Sequence, residues 1–126
     1  MKILIVTPYI PHPLAGHGGS EYVYGLVKYL SSNNKVTVIL FLDSFEEGLV
    51  KDLKQFPVSF LFVRRMKGKQ KGLLGNIQLI VLRLFQFFRS LLLWQPYYVS
   101  KYWDSEMARM IESETTRTQY DAVQIE

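Results

Sequence analysis

The stretch from Thr7 to Ser20 gathers the residue types best suited to chemistry. It holds Pro8, Pro11 and Pro13, both histidines of the chain (His12 and His17), and Gly16, Gly18 and Gly19 immediately ahead of a helical pattern. Glycines let backbone N–H groups approach a ligand closely, and a helix N-terminus favours an anion, so a strand, a Gly-rich turn and a helix form a phosphate-binding arrangement. The spacing narrows the kind. Gly16-His17-Gly18-Gly19-Ser20-Glu21 places Glu21 where a dinucleotide fingerprint has its last glycine, and no Gly-Lys-Ser/Thr occurs for a P-loop. The competing reading is a surface loop whose glycines serve turns. His12 lies between prolines and His17 between glycines, so both are expected outside the core. An imidazole at His17 beside a phosphate-like ligand could act as a general base, against the simpler reading of a solvated loop histidine without a carboxylate partner. Glu21 suits the first turn of the helix, where an acid complements the dipole; an acceptor contact is the alternative. Gly16, His17 and Glu21 are thus the candidate acceptor or phosphate contacts.

The elements that must hold this loop are legible on either side of it. Residues 1–7 include a β-branched-rich apolar run without polar alternation, the pattern of a strand buried on both faces, and too short before its prolines to be a signal peptide. Val23, Leu26, Val27 and Leu30 fall at helical spacing, with Ser20 as the expected N-cap. Val36–Phe41 predicts a second strand. Residues 45–53 then follow a capping-box spacing at Ser44 and Glu47. Val58–Val63 predicts a third strand, 73–94 a long apolar helix stopped at Pro96, about 104–114 a helix with Met107, Met110 and Ile111 on one side, and 120–125 a fourth strand. Alternating strands and helices predict an α/β fold: a doubly wound, Rossmann-like parallel sheet with helices on both faces. Ligands of such sheets bind beyond the carboxyl ends of the strands, which is where the glycine loop falls. The chain ends on the fourth strand without a helix after it, so the domain is expected to be incomplete at its C-terminus.

Composition excludes several classes. Ordinary Gly and Pro numbers and 48% hydrophobic residues rule out collagen-like and disordered chains, and 126 residues suit one domain. Without cysteine there is no disulfide, thiolate zinc site or cysteine nucleophile, and two histidines make a poor metal site, so no metal is expected.

The net charge of +4 is local. Arg64, Arg65, Lys67, Lys69 and Lys71 form an acid-free run, while the rest of the chain carries ten cations against eleven acids. No aromatic residues interleave the run to stack bases, so nucleic acid is not an expected partner. The apolar helix that follows keeps Asn76, Arg83, Gln86 and Ser90 on one narrow stripe, and Arg83 and Arg89 interrupt any membrane span. Five cations beside an apolar helix suit an anionic membrane surface or a protein partner; the alternative is a helix packed on the sheet or on another domain, with a solvated basic loop.

The arrangement Lys2-Ile3-Leu4-Ile5-Val6, Pro8 and Pro11, Gly18-Gly19 opening a helix, Leu26 and Leu30 within it, and then Val36-Thr37-Val38 resembles the opening of the glycosyltransferase family 4 enzymes. The finish, Tyr120-Asp121-Ala122-Val123-Gln124-Ile125-Glu126, is similar to a strand of the same family. The resemblance implies a GT-B architecture of two Rossmann-like domains facing a cleft. Residues 1–126 would be the N-terminal, acceptor-side domain, lacking the C-terminal donor domain. It further implies a nucleotide-sugar donor as substrate, a glycan or lipid-linked acceptor, transfer with retention, and no cofactor. Gly18 and Gly19 match the family's glycine pair beside the donor diphosphate and sugar. The catalytic-region histidine and the paired donor-holding glutamates have no counterpart here, so no catalytic residue is assigned. Transfer needs groups from both domains, and the isolated chain is expected to be inactive. The implied location is cytoplasmic, with peripheral attachment to the inner membrane face as an option.

Overall fold

In a computed structural model the described residues are 1–16, 18–65, 80, 81, 83–85, 87, 88, 91, 92 and 104–126. The fold is α/β. In chain order the elements are β1 (Lys2–Thr7), a 3-10 turn (Pro13–Ala15), α1 (Gly18–Leu30), β2 (Lys35–Asp43), a second 3-10 turn (Ser44–Leu49), α2 (Val50–Leu53), β3 (Val58–Arg65), α3 (Ser105–Arg117) and β4 (Ala122–Ile125). The strands form one four-stranded sheet in the order β3-β2-β1-β4, with every pairing parallel. Parallel neighbours need crossover segments between them, and the connections after β1 and β2 carry α1 and α2.

The apolar runs of β1 and β2 make them the centre of this sheet. Residues 3–7 and 38–42 are buried without interruption, as expected of strands covered on both faces. Alternation then sorts side chains into two cores. Ile3, Ile5, Val36, Val38, Leu40 and Leu42 pack with Val23 and Val27 of α1 and Leu53 of α2. Leu4, Val6, Ile39, Phe41 and Val63 pack with Met107, and Met110 and Ile111 of α3 lie against them. Each of the two longer helices therefore takes one parity of the same strands.

Several local details differ from the sequence expectations. Ser20 is the third residue of α1, fully buried, and not its N-cap, because the helix already begins at Gly18. The capping box is Asp43 with Glu46, one residue earlier than the Ser44 and Glu47 pair: β2 runs through Asp43, whose backbone N–H donates to Glu46 Oε2 at 3.1 Å. The segment after it is a 3-10 turn followed by a single α-helical turn, not one helix. The third strand extends through Arg64 and Arg65, because β2 reaches Asp43 and the register pairs Asp43 with Arg65. Two of the five cations placed in a basic loop therefore lie on a strand. The remainder of that run, and most of the apolar helix expected over 73–94, lie outside the described residues.

The end of the chain is tied down by a set of polar contacts. Asp104 caps α3 by accepting from the N–H groups of Glu106 and Met107. At the other end of α3, buried Glu114 accepts from the Tyr120 hydroxyl and from Arg117 Nη2, each at 2.6 Å. Asp121 then accepts from the Lys2 backbone N–H at 2.7 Å and donates its own N–H to the Lys2 carbonyl. The Tyr120-Asp121 pair thus sets β4 against β1.

Candidate functional site

The β1–α1 connection stands at the carboxyl edge of the sheet, beside its most buried strand. Its first half is held from below. Ile10 and Pro11 are fully buried, and they carry His12 inward with them. His12 is 5% exposed, contrary to the expectation drawn from its flanking prolines. The reason is nonlocal: its Nε2 lies 3.1 Å from Asp52 Oδ2, on α2, forty residues away along the chain. Its Nδ1 accepts the Leu14 N–H at 3.1 Å, so Nδ1 carries no proton and Nε2 is the nitrogen that donates to Asp52. With both ring nitrogens engaged, His12 is a clasp between the loop and α2 and is not placed to move protons for a ligand. A concavity of about 330 Å³ beside it is lined by His12, Pro13, Tyr24, Lys51, Asp52 and Gln55.

Its second half is shaped by glycine. Gly16 has φ +74°, closes the 3-10 turn in the left-handed region, and is exposed. A side chain there would be strained. Gly18 and Gly19 are the first two residues of α1. A Cβ on Gly18 would meet nothing, whereas a Cβ on Gly19 would sit 2.6 Å from Tyr9 Cε2 and 2.7 Å from Cδ2. The missing side chain at Gly19 thus admits the Tyr9 ring against the start of the helix. Tyr9 is itself steered by its backbone N–H, which donates to the buried Thr7 hydroxyl at 3.2 Å. Glu21 is exposed on the first turn of α1, as a dipole-complementing acid should be. His17 lies outside the described residues.

Among the described residues, two buried side-chain atoms on this edge have no hydrogen-bond partner. They are Ser20 Oγ, on the first turn of α1, and Asp43 Oδ1, at the end of β2. Sequence reasoning gave Ser20 a capping role and gave Asp43 no role in a site. The available signal for Asp43 was positional: an acid at the end of the second strand of a strand-glycine-turn-helix-strand unit occupies the place where such folds hold a ribose hydroxyl.

The structure gathers Gly16, Gly18, Gly19 and Glu21 at the start of α1. Arg64 is exposed at the end of β3, an edge strand separated from β1 by β2. Lys67, Lys69 and Lys71 lie outside the described residues, as does the Arg65 side chain. Among the described residues no helix is long and apolar enough to cross a membrane, and no group of three or more His, Asp or Glu residues could hold a metal ion. A scan of protein-family models, a search of the curated proteins and a search of solved structures each found no match to the chain.

Proposed function

We propose that the chain is the acceptor-side half of a retaining glycosyltransferase that uses a nucleotide-sugar donor. In this reading the fold is a doubly wound, Rossmann-like domain of GT-B type, completed by further chain and facing a donor domain across a cleft. The observation that carries the reading is the glycine-led start of α1, the first α-helix after the inner parallel strand β1, at the carboxyl edge of the sheet. The free N–H groups of the first helical turn supply an anion-binding end. Glycine at position 18 leaves the backbone open to a donor diphosphate, since a Cβ there would meet nothing, whereas the side-chain space at Gly19 is taken by the Tyr9 ring. The unpartnered Asp43 Oδ1 offers an acceptor for a sugar hydroxyl on the same edge.

The chemistry divides between chain and partner domain. Backbone N–H groups at Gly18 and Gly19 help to neutralise the leaving diphosphate, and acids and cations of the second domain complete the cleft. The test is transfer of labelled sugar from a panel of nucleotide sugars by the protein carrying both halves of the cleft. Gly19→Val should reduce transfer by more than about 100-fold, the scale seen when an oxyanion-type donor is lost. Unchanged turnover in that variant would refute the reading.

A second reading draws on a separate observation. Ile80, Val81, Leu84, Phe85, Phe87, Phe88, Leu91 and Leu92 are each more than half exposed. At about 100° per residue these positions occupy less than half of a helix circumference, with Arg83 outside the arc. Such an apolar face, following Arg64, Arg65, Lys67, Lys69 and Lys71 in sequence, suits docking of a non-enzymatic module on an anionic membrane. Co-sedimentation with vesicles containing phosphatidylserine tests it: neutralising the five cations should release the protein, and a parent chain that does not sediment would end the idea.

A further inference from the structure

We propose that the concavity between the β1–α1 connection, α1 and α2 binds a neutral saccharide ring, held at its hydroxyls by Asp52, Lys51 and Gln55 and bounded by the Tyr24 ring. The proposal goes beyond the reading of the α1 start as a diphosphate site and needs none of the glycines there.

Asp52 carries the argument. Its side chain is 60% exposed, yet it is fixed by a histidine whose own side chain is only 7% exposed. His12 is oriented in turn by the Leu14 N–H on its Nδ1, so the direction of its Nε2–H is set by the buried loop and not by α2. The contact engages Oδ2 alone of the two carboxylate oxygens. An ionised carboxylate offers about four lone-pair sites, so most of its accepting capacity is left for a ligand. The result is an acceptor that is both open to solvent and held in position.

The other lining residues complete a mixed set. Lys51 and Asp52 are neighbours on α2. Gln55, three residues after Asp52, shares its side of the turn, which its backbone N–H continues by donating to the Asp52 carbonyl at 3.4 Å. Tyr24 reaches the concavity from α1, and its ring is set edge-to-face with Phe56 at 5.5 Å between centroids. Lys51 donates, Asp52 accepts, and the Gln55 amide and Tyr24 hydroxyl do both.

That set selects the ligand. Lys51 and Asp52 cancel in charge, so a phosphate would meet the Asp52 carboxylate and a metal ion would meet the Lys51 ammonium. An apolar molecule would strand the polar lining. Hydroxyl groups suit it, because adjacent hydroxyls of one ring can donate to Asp52 while accepting from Lys51 or Gln55. The C–H face of a pyranose is apolar and packs against an aromatic ring. At about 330 Å³ the concavity lies at the lower end of small-ligand sites, which suits one sugar ring and not a chain of them.

The test is titration of the chain with methyl glucoside, methyl mannoside, methyl galactoside and N-acetylglucosamine, followed by the backbone amide resonances of residues 51–55 and the ring resonances of Tyr24. At least one of these sugars is expected to give saturable shifts at both places, and inorganic phosphate to give none there. Asp52→Asn should weaken that binding about tenfold, the scale of one hydrogen bond to a charged group. Gln55→Ala should weaken it about threefold. If Asp52→Asn melts well below the parent, Gln55→Ala, at an exposed position outside the His12 contact, carries the test alone. Shifts from none of the sugars, equal shifts from phosphate, or parent-like sugar binding by the folded variants overturns the proposal. None of these outcomes reads residues 18–20, so the diphosphate reading stands or falls separately.

Discussion

Removing one hydroxyl, by Tyr120→Phe, tests how the end of the chain is held. Tyr120 donates to Glu114 at 2.6 Å, and its ring packs against the cluster around Leu4 and Met107. Phenylalanine keeps the ring, so no cavity opens and what is lost is the hydroxyl's hydrogen bonding, chiefly to Glu114. A bond to an ionised group contributes about 1.5–3 kcal/mol. Glu114 retains Arg117 as a partner, so its carboxylate is not orphaned, and the loss should fall near the middle, about 2 kcal/mol. For a chain of this size that corresponds to a drop of about 8 °C in Tm. The effect also has a pH signature. Glu114 titrates below its ordinary value of 4.5, chiefly through the Tyr120 hydrogen bond, opposed by burial and assisted by Arg117. A lowered native pKa means that the carboxylate favours the folded state; its contribution is complete above pH 4.5 and is lost as pH falls through the native value. Tyr120 is shifted the other way, up from 10.0, by burial first and by its bond to Glu114 second. Its contribution is complete below pH 10.0 and is lost as pH rises through the native value. Thermal melts of parent and variant from pH 3 to 8 check this. The gap should be about 8 °C at neutral pH and shrink in acid; melts that coincide at pH 7 would refute the reasoning.

Three further outcomes follow from the same contacts. Gly16→Ala forces a side chain into φ +74° and should lower stability by about 1 kcal/mol, read as a shifted urea midpoint. His12→Ala removes a buried ring that bridges Leu14 N–H and Asp52, and should destabilise by about 2–4 kcal/mol, while Asp52→Asn, at a side chain that is itself largely open to solvent, should cost under about 1 kcal/mol in thermal melts. Leu4→Ala, at the centre of the core beneath α3, should destabilise by about 3 kcal/mol without changing the fold seen by circular dichroism.

Local pattern and long-range packing divided the legible from the hidden. The unbroken apolar run of β1 announced a strand buried on both faces, because a parallel sheet imposes that pattern on its inner members, and the β-branched run of β2 announced a second strand. The 3.6-residue spacing in α1 and α3 likewise named the helix faces that meet the sheet. Boundaries were less legible because they depend on partners: β3 gained Arg64 and Arg65 from the reach of β2, and the capping box moved to Asp43 for the same reason. At the site, Gly18 and Gly19 were visible as glycines, but the reason for Gly19, the Tyr9 ring, required the loop to fold back. His12 was hidden most completely. Its prolines pointed outward by local rules, while Ile10 and Asp52 drew it in from positions that no spacing relates to it.

The central claim is that the start of α1 holds the diphosphate of a nucleotide sugar. The most direct measurement is an amide-resonance titration of the chain with a panel of nucleotide sugars and their free nucleoside diphosphates. Saturable shifts at Gly18, Gly19 and Ser20, shared by sugar nucleotide and diphosphate, are the expected result, and Gly19→Val should abolish them. No shift at these residues, or shifts confined to Arg64 and the end of β3, would contradict it.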